Sequence, residues 1–555
     1  MIKNGFLPLA LLALSQSLLA QQLPGAGGQM QQIPPMPSPP KTAPEIEVKP
    51  AQESAVAAPD TATLTVQRLT VTGAQSYSEA DLLAVTEFTP GSELTLSQLR
   101  AMAAKITSHY QRNGFFLAQA YLPAQDIKDG IVTIAVIEGR YGQITLDNQA
   151  PVSTALANNL LGGLNPGDPV TSAPLESRLL LLSDLPGVVV RSTLVPGTAA
   201  GTSDLRVGLA PGRRLTGSID ADNAGNRYTG EYRLGASVYF NEPLGLGDVA
   251  SLRVLTSGSG LNYGRAAYQL QLGKATAGVA YSYLNYELGK EFKSLDAHGT
   301  AQIVSLYGRY PLIRTRNNNL YAGLSLENKK YEDRVDTTGA VSDKRANVLT
   351  ASLNGDWRDN FGGGGANSYL LAWGAGKIDL QTPVVRSIDA ATARSNGNFH
   401  KLAFSAARLQ RVTDSVSFSA AISGQWASKN LDVSEKMELG GMYGVRAYPE
   451  GEAYADRGYL LNLEARLQLP KFSQSLPGQM QLIGFVDTGT VTLHKNPWAS
   501  GKNTRTLSGA GVGVNWYETN NFMVRAYYAF KLGNEDATSA PDKSGRFWIQ
   551  LIKYF

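Results

Sequence analysis

The 555-residue chain has no cysteine, only four histidines (His109, His298, His400 and His494), and 17% charged residues. The missing thiols exclude a disulfide framework, a cysteine nucleophile and a Cys/His zinc site, and the scattered histidines lack a ligand spacing. No metal or cofactor is expected. Charge is nearly balanced, 50 Lys and Arg against 46 Asp and Glu for a net +4, with no polybasic block, so a nucleic-acid partner is not expected either. After residue 20 no run reaches the roughly 18 uninterrupted apolar residues that a membrane helix needs. Catalytic motifs are missing too. The glycine run Gly362 to Gly365 lacks the Lys-Ser/Thr ending of a phosphate loop, and no G-x-S-x-G elbow joins His298, Asp487 and a serine into a hydrolase triad. An enzyme is not expected.

What is present begins with an export signal. Lys3, the apolar run Phe6 to Leu14 and the small residue Ala20 read as a secretory signal peptide over 1–20, too short to span a bilayer. Residues 21–62 are rich in proline. The missing N–H donors forbid a long helix or sheet and favour an extended linker. Only 21–33 could form a short helix there, and Gly25, Gly27 and Gly28 weaken it.

From 63 to 145 the pattern is that of a compact α+β module. LTVQRLTVTG alternates as a strand, and Ser78 with Asp81 opens a helix. Leu96, Leu99, Met102, Ala103 and Ile106 form the apolar face of a second helix ending at Gly114. Two strands follow, FLAQAYLPAQDI and IVTIAVIEGRYGQI, joined at Lys128-Asp129-Gly130. The predicted order is β-α-α-β-β.

Residues 213–555 read as a transmembrane barrel, with segments of about ten residues alternating apolar and polar. Tyr528, Phe530 and Leu532 form one face of the segment at 523–532, and Arg525, Tyr527 and Lys531 the other. Near 460, Tyr459, Leu461 and Leu463 oppose Asn462, Glu464 and Arg466. One row suits lipid and the other a wet lumen. Alternation alone admits about 14 to 18 strands of 9 to 11 residues. The last segment, GRFWIQLIKYF, ends on Phe555 and resembles the terminal signal of outer-membrane barrels, with Lys553 interrupting its apolar series.

GFFLAQAYLPAQDIKDGIVTIAVIEGRYGQI resembles the first POTRA domain of TpsB transporters, the outer-membrane partners in two-partner secretion. PLESRLLLLSDLPGVVVRSTLVPGTAAGTSDLRVGLAP in 146–212 is similar to the second, and DADNAGNRYTGEYRLG with NEPLGLGD to the start of the family's barrel. The resemblance implies two periplasmic POTRA domains and a 16-stranded antiparallel barrel in the outer membrane. It also implies a large unfolded TpsA partner, an adhesin before a haemolysin, with outer-membrane lipid, periplasmic chaperones and barrel-assembly machinery as further partners.

Val445, Arg446, Ala447 and Tyr448 resemble the superfamily's VRG(F/Y) tetrad, carried on a loop near 440–458 that folds into the barrel. Ala447 replaces the usual Gly, which would strain the loop if that position needs positive φ. Phe485, Asp487 and Gly489 match the strand motif F-x-D-x-G, and the resemblance implies an ion pair between Arg446 and Asp487. Tyr110, Phe116, Tyr121 and Leu122 mark a POTRA edge where passenger could add as a strand. The competing expectations are an Omp85-type assembly factor, a passive porin and an exported soluble β-sandwich.

Overall fold

The computed structural model describes residues 23–37, 46–48, 63–471, 473 and 475–555. The expected signal peptide lies outside the described residues. The proline-rich segment contributes two short elements, α1 (Ala26–Gln31) and β1 (Ile46–Val48).

The first module runs β2 (Thr63–Val66), β3 (Arg68–Thr72), α2 (Glu79–Thr86), β4 (Ser92–Thr95), α3 (Leu96–Arg112), β5 (Gln119–Tyr121) and β6 (Ile131–Ile137). The single first strand expected from 63 is therefore two: β2 pairs with β4, and β3 enters the sheet β3-β6-β5. Ser78 Oγ accepts the Asp81 N–H at α2, and Thr95 with Gln98 closes a full capping box at α3, satisfying N–H groups that a helix start leaves orphaned. Leu69, Leu82, Leu99, Ile106 and Ile134 meet in its core.

The strand expected over IVTIAVIEGRYGQI breaks at Glu138-Gly139, where Gly139 takes φ 75°. Its second half, β7 (Arg140–Asn148), joins a different sheet with β8 (Val188–Pro196) and β9 (Thr202–Pro211), so a boundary at 145 cuts through a strand of the second module. α4 (Thr154–Leu161) and α5 (Ser172–Ser183) cover that sheet, with Leu160, Leu175, Leu179 and Leu205 fully buried. β1 adds in parallel to the outer edge of β8, giving the order β1-β8-β9-β7. β1 is not legible in the sequence, because it is held by a distant partner rather than by local propensity, whereas α1 falls within the 21–33 stretch where only a weak helix is expected.

Sixteen strands, β10 (Leu215–Asp222) to β25 (Gly545–Tyr554), close an antiparallel barrel in which each strand pairs with its sequence neighbour and β25 returns to β10. Closure leaves no free edge, the condition for strands to span lipid. The alternation predicted near 460 and 528 holds: Tyr459, Leu463, Tyr528 and Phe530 face outward, while Leu460, Tyr527 and Ala529 are buried inside. Some strands exceed the expected length: β15 (Ala297–Arg314), β16 (Asn318–Val335) and β17 (Ala340–Asp359) contain 18, 18 and 20 residues. Lys553 sits at the rim nearest the modules, where its Nζ donates to Asn521.

The second module is seated on the near-end turns of the barrel. Arg314 forks onto Asp184 (Nε to Oδ2 2.7 Å, Nη2 to Oδ1 2.8 Å), and the Ser153 N–H donates to the Gly245 carbonyl at 2.8 Å.

Candidate translocation pore and its inward-folded loop

Between β20 (Val416–Ala427) and β21 (Arg457–Gln468) the chain does not form a simple turn but runs back into the lumen. Val445, Arg446, Ala447 and Tyr448 are all buried there. Asp487 lies on the inward face of β22 (Gln479–Thr492), and the structure brings Arg446 to it in a two-pronged contact. Nε donates to Oδ2 and Nη2 to Oδ1, each at 2.8 Å, and the Arg446 backbone N–H adds a bond to Oδ2 at 3.1 Å. This is the planar fork-to-carboxylate match that Lys could not make.

Nη1 reaches Glu464 Oε1 at 2.8 Å, while Asn462 donates to Asp487 at 2.7 Å and to the loop carbonyl of Gly444 at 3.1 Å. The guanidinium lies 3.5 Å over the Phe485 ring, and Phe485 meets Tyr527 edge-on. Trp548 Nε1 binds the Arg446 carbonyl at 2.7 Å. Sequence reading placed Asn462 and Glu464 on the lumen face but did not link them to the loop. Only the β21/β22 register, Asn462 opposite Asp487 and Glu464 opposite Phe485, puts them beside it.

Two small residues let the loop approach the wall. A Cβ built on Gly489 would stand 2.3 Å from Leu439 Cδ1 of the loop, so the strand motif's glycine is a contact surface. Ala447 is not among the residues with positive φ, and the strain expected from it does not arise. Its methyl instead fills the space over Gly509, where a Cβ would be 2.5 Å away. The return arm of the loop is fixed separately: Glu452 accepts from Arg505 at 2.5 Å, from the N–H groups of Thr538 and Ser539, and from both their hydroxyls.

α1 lies inside the barrel against β14 (Ala275–Glu287), β15 and β16. Asp333 Oδ1 accepts the Ala26 N–H and the Tyr286 hydroxyl, each at 2.8 Å, and Thr229 Oγ1 donates to Gln29 at 2.7 Å. Gln32 Nε2 donates to Tyr454 Oη at 2.6 Å, joining α1 to the inward loop.

The POTRA positions separate. Tyr110 is fully buried, its hydroxyl on Glu138 at 3.0 Å and its ring among Tyr77 and Phe115, so it is core and offers nothing to a passenger. Phe116 packs against the core of the second module, and Leu122 against that of the first. Of the four only Tyr121 stands exposed, on the edge strand β5, whose outward Ala120 N–H donates to Thr107 Oγ1 at 2.9 Å. Glu138 receives the Gln75 and Ser76 N–H groups at 2.7 and 2.6 Å and Arg140 Nη2 at 2.9 Å, tying the first module to the start of the second. Burial opposes its charge, but these N–H donors and the Tyr110 hydroxyl outweigh that and hold its carboxyl below the usual range.

Residues 201–516 match the family described as haemolysin secretion/activation protein ShlB/FhaC/HecB, and residues 64–139 match the ShlB-type POTRA domain. The heme/hemopexin transporter protein HuxB of Haemophilus influenzae (strain 86-028NP) is 31% identical over 474 residues, 84% of this chain and 82% of that protein. The outer membrane transporter CdiB of Dickeya dadantii (strain 3937) is 24% identical over 76% of this chain and 74% of its own. Among solved structures, CdiB from Escherichia coli has the same fold, with a TM-score of 0.68 at 21% identity over 91% of this chain and 93% of that one. A barrel of sixteen strands, a POTRA module before it and an inward loop pinned to its wall thus coincide with these matches. The chain belongs to the ShlB/FhaC/HecB family of two-partner secretion transporters, an outer-membrane protein with its POTRA region in the periplasm that exports a large partner protein.

Proposed function

We propose that the partner is captured unfolded at the β5 edge beside Tyr121 and then passes through the barrel once α1 and the inward loop have moved. The observation that carries this reading is that both occupants of the lumen, besides packing apolar side chains on the wall, are pinned there by polar contacts. Arg446 to Asp487, Ala26 to Asp333 and Gln32 to Tyr454 can all be exchanged for water or passenger. An extended chain added at β5 would use backbone hydrogen bonds and need no fixed sequence, which suits an unfolded cargo. Transit then asks only for a polar pore that does not bind the chain tightly. Folding of the cargo outside supplies the direction.

The passenger is proposed as a large adhesin; the likeness to the heme/hemopexin transporter favours a haem- or haemopexin-related cargo as the second reading. The test is export of a large exported protein encoded beside this gene, in cells with wild-type protein, with Arg446→Ala, and without the gene. Export that needs the gene and falls in the variant at normal barrel levels supports the reading. Export unchanged without the gene removes the assignment for that cargo, and release of the cargo into the membrane as an inserted barrel would favour an assembly factor.

A further inference from the structure

The outer wall of the long strands changes character at one height. Counting away from the modules, the outward positions of β16 read Leu324 and Leu326, then Asn328, Lys330, Glu332 and Arg334. The cross-strand register carries the same step sideways. Leu326 is opposite Leu349 on β17, and Leu349 is opposite Ala375 on β18 (Gly365–Leu380). In the next outward row Asn328 is opposite Asn347, and Asn347 opposite Lys377. The second module marks the periplasmic end, so this step lies in the outer half of the membrane, where outward rows pass from acyl chains to head groups.

Two features at this step are unusual. Lys330 stands directly opposite Arg345 across β16 and β17, an unfavourable placement for like charges, and Lys377 is the diagonal neighbour of Arg345. Two carboxylates bear on it: Glu332 neutralises Lys330 at 2.5 Å, and Asp379 stands directly opposite Arg345 but pairs with Arg386 at 2.6 Å. Asp343 is taken by Arg334 at 2.6 Å. Among the described residues Arg345 and Lys377 have no ion-pair partner and are exposed. Directly below them an open groove of about 540 Å³ crosses the step. Val304, Leu306, Leu326 and Leu349 line its membrane side, and Asn347 and Lys377 its outer side. Beside it, Trp373 and His400 stack with ring centroids 5.7 Å apart.

We propose that this face is a binding site for a phosphorylated, multiply acylated glycolipid of the outer leaflet, of the lipid A type. Its phosphate sits between Arg345 and Lys377, and one acyl chain lies in the groove against Leu326 and Leu349. Charge complementarity selects this occupant. An anionic phosphate neutralises Arg345 and Lys377, which have no ion-pair partner among the described residues, and the guanidinium fork matches two phosphate oxygens. A zwitterionic lipid brings its own cation and would compensate the two unpaired cations less.

The test is native mass spectrometry of the full-length protein in mild detergent, titrated with lipid A, with dephosphorylated lipid A and with phosphatidylglycerol. Heat-modifiable migration shows that each barrel is folded. Wild type is expected to bind one lipid A, and Arg345→Gln with Lys377→Gln together to weaken it by at least about tenfold. Dephosphorylated lipid A on wild type should lose a similar factor. Binding by the folded double variant within about twofold of wild type overturns the site, and phosphatidylglycerol binding as tightly as lipid A overturns the glycolipid assignment.

Discussion

Gly27 of α1 lies against Ser434 of the inward loop so closely that a Cβ on the glycine would stand 2.7 Å from the Ser434 Cβ. The glycine that weakens the helix is what lets it enter the lumen. Gly27→Leu should therefore push α1 off the loop and raise single-channel conductance in planar bilayers, with Asp333→Ala doing the same by removing the acceptor of the Ala26 N–H. Conductance unchanged in both would show that α1 does not obstruct the pore.

The Arg446 to Asp487 contact makes a sharper prediction. Removing Arg446 leaves Asp487 buried with no cation beside it, a loss of about 3 to 5 kcal/mol if water does not enter, whereas removing Asp487 leaves Arg446 its bond to Glu464 and costs less. Arg446→Ala and Asp487→Ala should each lower export severalfold with the barrel still folded. Arg446→Lys keeps the charge but not the fork and should rescue poorly. A double variant no worse than either single one would show that the two act as a unit.

Glu138 gives the periplasmic region a pH response. Its folded carboxyl titrates below the usual value, so its contribution to stability is fully present above the unfolded pKa near 4.3 and is lost as pH falls through the lower folded value. Glu138→Gln should flatten the acid-side fall in stability of the POTRA region below the unfolded pKa near 4.3 and cost about 1 to 3 kcal/mol at neutral pH. Thermal unfolding of the full chain followed by hydrogen exchange in 63–148 would report it. An unaltered acid profile would place the response elsewhere.

Two sheet edges could serve a passenger, and they differ in occupancy. β5 has no strand on its outer side, where the Thr107 hydroxyl takes the Ala120 N–H at 2.9 Å, whereas β8 is covered by β1. Ala120→Pro removes the outward backbone donor of β5, which a passenger strand would take over from Thr107, and should weaken binding of the passenger's N-terminal segment by about tenfold, measured by fluorescence anisotropy. Glu47→Pro, which loosens β1, should leave binding unchanged. Tighter binding in that variant would move the docking site to β8.

The barrel, its inside and outside faces and the two motifs are legible in the amino-acid pattern. Period-two alternation over many strands has one physical solution when one face meets lipid and the other water. The amino-acid pattern also carried the helices and their caps, which depend on neighbours three or four residues away. The relationships made across hundreds of residues emerge only in the folded chain. The helix α1 is six residues with three glycines at or near its start, unstable alone, and exists because Asp333, Thr229 and Tyr454 satisfy it. β1 is a strand only because β8 offers it an edge. Tyr110 looked available beside a sheet edge, yet Glu138 and two aromatic rings bury it. Ala447 looked strained, yet it is accommodated because Gly509 on another strand leaves room. In each case the deciding partner is remote in the chain, and no local pattern encodes it.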